Sequence, residues 1–138
     1  MVEMLPSRRG FILGAALIFS GSATRLLAQA QERVKFEKGN DNTAVNGRVT
    51  GEGYNDYLLG AKAGQKMSVS LISDKVAYFN ILPPGGTGEA IYNSSSEGND
   101  ATSVALPKSG DYTIRVYLMG AAADEGKSVD YQLSIAIM

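Results

Sequence analysis

The chain has 138 residues, with 13 basic and 14 acidic side chains, seven tyrosines, no cysteine and no histidine. These absences exclude disulfides, thiolate nucleophiles, Ser-His catalysis and the common zinc and copper sites. A balance one charge below neutral also excludes a basic nucleic-acid footprint.

The first element is an export signal. Ser7-Arg8-Arg9-Gly10-Phe11-Ile12-Leu13 matches the twin-arginine pattern, an apolar run continues to Phe19, and Ser20 to Ala23 are mostly small. Ala28-Gln29-Ala30 then forms a small-x-small cleavage site. The apolar run falls short of the roughly 20 residues a membrane span needs, and Arg25 interrupts the stretch beyond it. Residues 1–30 are therefore expected to be a cleaved twin-arginine signal peptide, which addresses the protein to the bacterial periplasm. Residues 31–138 are a single-domain length. Three arginines and Glu3 lie in the signal, leaving 10 basic and 13 acidic side chains.

Strands come next, punctuated by Gly, Asn, Asp and Pro. Val34-Lys35-Phe36 is a short first strand, Glu37 to Thr43 a polar turn, Asn46 to Thr50 a second strand and Asn55 to Ala61 a third. Lys66 to Ile72 alternates cleanly, with Met67, Val69 and Leu71 on one face. Val76 to Leu82 is stopped by Pro83-Pro84-Gly85-Gly86, which cannot continue a ladder. Ala90 to Tyr92 is a weak strand, Ser94 to Asp100 a polar loop, and Thr102 to Leu106 a further strand. Tyr112 to Met119 places Tyr112, Ile114, Val116 and Leu118 on one face, and Val129 to Ile137 aligns Tyr131, Leu133, Ile135 and Ile137. Between these two, the alanines of Gly120 to Glu125 favour a helical turn. The pattern predicts an all-β fold, an antiparallel β-sandwich, jelly-roll-like, of about eight strands.

Several blocks carry a resemblance. They are Val34 to Gly39, Gly51-Glu52-Gly53-Tyr54-Asn55-Asp56-Tyr57, Ala61 to Lys66, Leu106 to Val116, and Tyr131-Gln132-Leu133-Ser134-Ile135. In this order and spacing the chain resembles the periplasmic inhibitors of goose-type (g-type) lysozyme. More loosely, it resembles the bacterial pre-peptidase C-terminal β-sandwich domains. The resemblance implies a non-enzymatic protein whose loop after the penultimate strand plugs a lysozyme active-site cleft. On that reading Met119, Gly120, Ala121, Asp124 and Lys127 touch the partner, with Tyr54 and Tyr57 beside them. The chain departs from the family pattern where arginines are expected, at Gly120 and Asp124, and where a tyrosine is expected, at Glu52. Acidic side chains at Asp124 and Glu125 would meet a carboxylate-lined cleft with like charge.

Other readings stand beside this one. Tyr54, Tyr57, Tyr78, Tyr92 and Tyr117 could line a sugar-binding face, which makes a cell-envelope glycan or peptidoglycan-binding module without inhibitory activity the alternative. Asn40-Asp41-Asn42 and Glu97-Gly98-Asn99-Asp100 are oxygen-rich, which suits a calcium site, but they are also ordinary turn sequences and no twelve-residue calcium loop is present. Tyr112 and Tyr131 are expected to face the core with their hydroxyls bonded at its edge. Arg115 is read as either solvated, paired across strands or in contact with a partner. No cofactor is expected, and no spacing of carboxylates singles out a hydrolytic pair.

Overall fold

The computed structural model describes residues 29–85 and 88–138. Apart from Gln29 and Ala30, the expected export signal lies outside the described residues. Among the described residues nine strands are divided between two sheets: β1 (Gln29–Arg33), β2 (Asn42–Thr50), β3 (Tyr54–Ala61), β4 (Lys66–Ser73), β5 (Tyr78–Leu82), β6 (Tyr92–Asn93), β7 (Asp100–Ala105), β8 (Gly110–Tyr117) and β9 (Ser128–Ile137). One sheet has the order β1-β3-β8-β5-β6 and the other β2-β9-β4-β7. All pairs are antiparallel except β1 with β3. The parallel pair arises because β2 crosses to the opposite sheet between them.

The sandwich closes on the alternating faces that the sequence displays. Leu59, Phe79, Ile81, Tyr112, Ile114 and Val116 of the five-stranded sheet are buried, as are Val49, Met67, Val69, Leu133 and Ile135 of the other. Interdigitation of two such faces is the dominant stabilising term of a fold without disulfides. Tyr112 anchors one corner. Its ring is fully buried, and its hydroxyl donates to the Lys108 carbonyl (2.6 Å) and accepts from the Lys108 amide (3.1 Å). That pins the turn entering β8, as a tyrosine corner does in other sandwiches.

The structure corrects several local expectations, and it moves the bounds of three later strands to Tyr92–Asn93, Asp100–Ala105 and Gly110–Tyr117. The first strand is the polar segment Gln29–Arg33 and not Val34–Phe36. Its ladder comes from β3 and not from its own side chains, while Val34 turns into the core and donates its amide to Leu58 O at 2.8 Å. β2 begins four residues earlier than expected, because β9 supplies partners from Asn42 onward. β5 begins at Tyr78, two residues later than expected. The polar loop after Tyr92 contains a single helical turn, α1 (Ser94–Glu97). Asn93 caps it through Oδ1, which accepts from the Ser95 amide at 3.1 Å, and Glu97 Oε2 accepts from the Asn93 amide at 3.1 Å. This reciprocal cap gives Asn93 and Glu97 a structural role at the start of the turn.

Candidate functional site at the loop end of the sandwich

One end of the sandwich collects the β2–β3 turn, the β4–β5 connection and the β8–β9 connection. The registers require it: Thr50 lies opposite Ser128, Tyr54 and Tyr78 both lie opposite Tyr117, and Ser73 lies opposite Tyr131. The β8–β9 connection forms the expected helical turn, α2 (Gly120–Asp124). Gly120 leaves the extended conformation of Met119 at φ +61°. Alanines continue the turn because they lose no side-chain freedom in it.

The end of α2 is closed by backbone alone. Gly126, at φ +69°, donates to Ala123 O (3.2 Å), and Lys127 donates to Ala122 O (3.0 Å). These two bonds are the Schellman pattern, for which glycine is the favoured residue. The loop is then seated on the neighbouring turn. The Gly51 amide donates to Lys127 O at 2.8 Å, and a Cβ on Gly51 would stand 3.3 Å from Gly126 Cα. Ala122 and Ala123 pack against the core. The loop is therefore held in one shape from below, while Gly120, Ala121, Asp124, Glu125 and Lys127 remain exposed. Lys127 Nζ stands 3.7 Å from Glu125 Oε1.

The two tyrosines expected beside the loop part company. Tyr54 lies on the outer face, half-buried, with the Arg115 guanidinium 4.0 Å over its ring. Arg115 is paired across strands, with both Asp56 oxygens at 2.8 and 2.9 Å. Tyr57 points inward and is only 4% exposed. Its hydroxyl meets that of Tyr131 at 2.5 Å, and Asn55 Nδ2 donates to Tyr131 at 2.8 Å and to Arg48 O at 2.9 Å. Burial, and then the bond to Tyr131, push the Tyr57 hydroxyl well above the usual phenol range. Burial raises Tyr131 as well, against the bonds it accepts. Tyr131 thus keeps its expected place, core-facing with a bonded hydroxyl. Tyr57 also borders a polar cleft of about 270 Å³ at the β1–β2 edge, lined in part by Glu32 and Asn46.

Met119, Gly120, Ala121, Asp124 and Lys127 thus form one exposed rim, with Tyr54 at the adjoining end of the sheet. Tyr57 sits behind them inside the sandwich. Val76 joins this end although the residue pattern did not single it out. It is 64% exposed and lies just before β5. Its parity was legible: Ala77, Phe79 and Ile81 are buried, so Val76 shares the outward face of Tyr78 and Asn80. Among the described residues no cluster of three metal-ligating side chains occurs, and no helix is long and apolar enough to cross a membrane.

No family model matches the chain. The inhibitor of g-type lysozyme from Escherichia coli (strain K12) is 29% identical over 133 residues, which are 96% of this chain and 98% of that protein. The crystal structure of PliG from Aeromonas hydrophila, a periplasmic inhibitor of g-type lysozyme, superposes with a TM-score of 0.75 at 36% identity. That match covers 80% of this chain and 97% of the other. The pre-peptidase C-terminal domain of a Bacillus anthracis collagenase shares the fold alone, with a TM-score of 0.51 at 13% identity over 78% of this chain and 94% of that one. Near-complete coverage of a relative above 30% identity, together with the same two-sheet sandwich, places this chain in the family of periplasmic inhibitors of g-type lysozyme.

Proposed function

We propose that the protein is exported by the twin-arginine route and inhibits a g-type lysozyme in the periplasm by occluding its cleft, without chemistry of its own. The observation that carries this reading is the seated α2 loop. A loop already fixed by its Schellman bonds and by Gly51 loses little freedom when it docks, which lowers the entropic cost of binding. Its exposed rim of Met119, Gly120, Ala121 and Asp124 is narrow, because Gly120 and Ala121 carry nothing beyond Cβ and Asp124 is short. A narrow, rigid projection suits a cleft.

Family membership favours this reading over the glycan module, and so does the tyrosine geometry. Of the five tyrosines considered for a sugar platform, Tyr57 and Tyr92 are buried and Arg115 covers Tyr54. Tyr78 and Tyr117 are left, tilted 36° to each other and half-buried. A lysis assay tests the proposal: purified g-type lysozyme acting on a cell suspension, with increasing amounts of residues 31–138. Dose-dependent loss of clearing is expected. Undiminished lysis at micromolar protein would overturn the proposal.

A further inference from the structure

We infer that the protein grips its partner through an apolar knob formed by Val76 and Met119, and that the partner offers an apolar hollow at the rim of its cleft. This deepens the inhibitory reading and rests on it. Among the described residues four large hydrophobic side chains are strongly exposed: Ile72, Val76, Met119 and Met138. Ile72 is on β4 and Met138 at the far end of β9, whereas Val76 and Met119 belong together. β5 and β8 pair with Tyr78 opposite Tyr117. Continuing that register by two positions puts buried Ala77 opposite buried Leu118, and exposed Val76 opposite exposed Met119.

Beneath the pair, Tyr54, Tyr117 and Tyr78 form a cross-strand row on the same outer face. Tyr117 turns its polar end inward along the sheet, donating to Asn80 Oδ1 at 2.9 Å, which leaves carbon toward the end of the sandwich. Side chains that water would rather not cover are thus concentrated beside the loop. Continuity with α2 identifies the occupant. Met119 is the residue from which α2 starts, so a protein that receives α2 in a cleft must also cover Met119 and its neighbour Val76.

Charge is a poorer grip here. Arg115 is held by Asp56, and Lys127 lies against Glu125. A strong electrostatic clamp would need to break these pairs or use exposed charges screened by salt, such as Lys75 and the carboxylates. Apolar burial has neither cost, and central apolar anchors commonly dominate interface energies.

The test compares inhibition constants for the unaltered protein, Val76→Ser, Met119→Ser, the double variant, Met119→Gln and Lys127→Ala, in about 50 and 300 mM salt. Both anchor positions are exposed, so the variants should melt like the parent. Each serine variant is expected to weaken inhibition about tenfold, the double variant about a hundredfold, and Lys127→Ala about twofold or less. Met119→Gln, which keeps the length of the side chain but not its apolar end, is expected to behave like Met119→Ser. Salt is expected to change the parent's constant by less than about threefold. If the parent inhibits and the double variant inhibits equally well, the knob is refuted while the inhibitory reading stands. A strong salt dependence combined with a large Lys127→Ala effect would refute it in favour of a charged grip. If the parent does not inhibit at all, the inhibitory reading falls and the knob falls with it.

Discussion

Gly47→Ala is the smallest change that should unsettle this fold. Gly47 faces inward on β2, an edge strand, directly opposite Tyr131. The Tyr131 ring lies over it, an arrangement by which an aromatic neighbour covers an edge glycine. A Cβ on Gly47 would meet Tyr131 Oη at 2.5 Å, Tyr131 Cζ at 2.7 Å and Tyr57 Oη at 2.8 Å. Neither ring can swing away freely, because each is buried in the core and the two hydroxyls are bonded to each other. The methyl group therefore forces the sheets apart and with them pulls on the Tyr57–Tyr131–Asn55 network, so both costs apply. Overpacking costs about 1–3 kcal/mol. Breaking a buried hydroxyl pair costs about 1–3 kcal/mol. The stiffer unfolded chain offsets about 0.5–1 kcal/mol. A net loss of about 2–4 kcal/mol is a large share of the stability of a domain this size. At about 4 °C per kcal/mol the melting temperature should fall by roughly 8–16 °C. Urea unfolding measures the free energy directly. Near-UV circular dichroism reads the tyrosines without interference, since the chain has no tryptophan. Asn46→Ala, on the solvent face of the same strand, is the control and should cost about 0.5 kcal/mol or less. A Gly47→Ala protein within about 1 kcal/mol of the parent, with the parent's near-UV spectrum, would refute this account.

Two further outcomes concern the polar contacts. Asp56→Asn removes a carboxylate that is 7% exposed and leaves the Arg115 guanidinium facing an amide. Because the Arg115 side chain keeps 33% of its exposure, water recovers part of the loss, and a cost of about 2 kcal/mol is expected by urea unfolding. A double variant with Arg115→Gln that is no more stable than Asp56→Asn would argue against a stranded charge. The second outcome concerns alkaline pH. Burial holds the Tyr57 hydroxyl neutral well beyond the ordinary phenol range, and Tyr131, Tyr92 and Tyr117 are raised by the same cause. The folded state then binds these protons more tightly than the unfolded chain, whose tyrosines titrate near pH 10. Their contribution to stability is complete below about pH 10 and is lost as the pH rises above it. Tyr57→Phe should make the fall in melting temperature between about pH 10 and 12 shallower, and an unchanged slope would contradict the assignment.

Much of the fold was legible because its cause is local. A period of two along Lys66–Ser73, Gly110–Tyr117 and Ser128–Ile137 marks one buried face in each strand, and the alanines after Gly120 mark a helical turn. The site was half legible. Residues 119–127 could be singled out as a loop between two strong strands, yet their seat on Gly51 depends on a turn about 70 residues earlier in the chain. Val76 was hidden among strand residues, and it comes beside Met119 only when the β5–β8 register, which ends at Tyr78 and Tyr117, is extended by two positions.

Tyr54 and Tyr57 mark where local pattern stops. Their odd spacing alone puts them on opposite faces of one strand. Which face becomes core is not a property of the strand. It is decided by the second sheet, where Tyr131 waits for one hydroxyl, and by β8, where Arg115 covers the other ring. The polar β1 is the same case, since its strand conformation is owed to the backbone of β3 and not to its own side chains. The residue pattern alone determined most of the strands, the inward faces of the strongly alternating ones and the absence of thiol and imidazole chemistry. Only the tertiary structure decided which tyrosine is available, what fixes the loop and which ends of the strands the exposed hydrophobes share. Those depend on contacts between distant parts of the chain, and no local period encodes them.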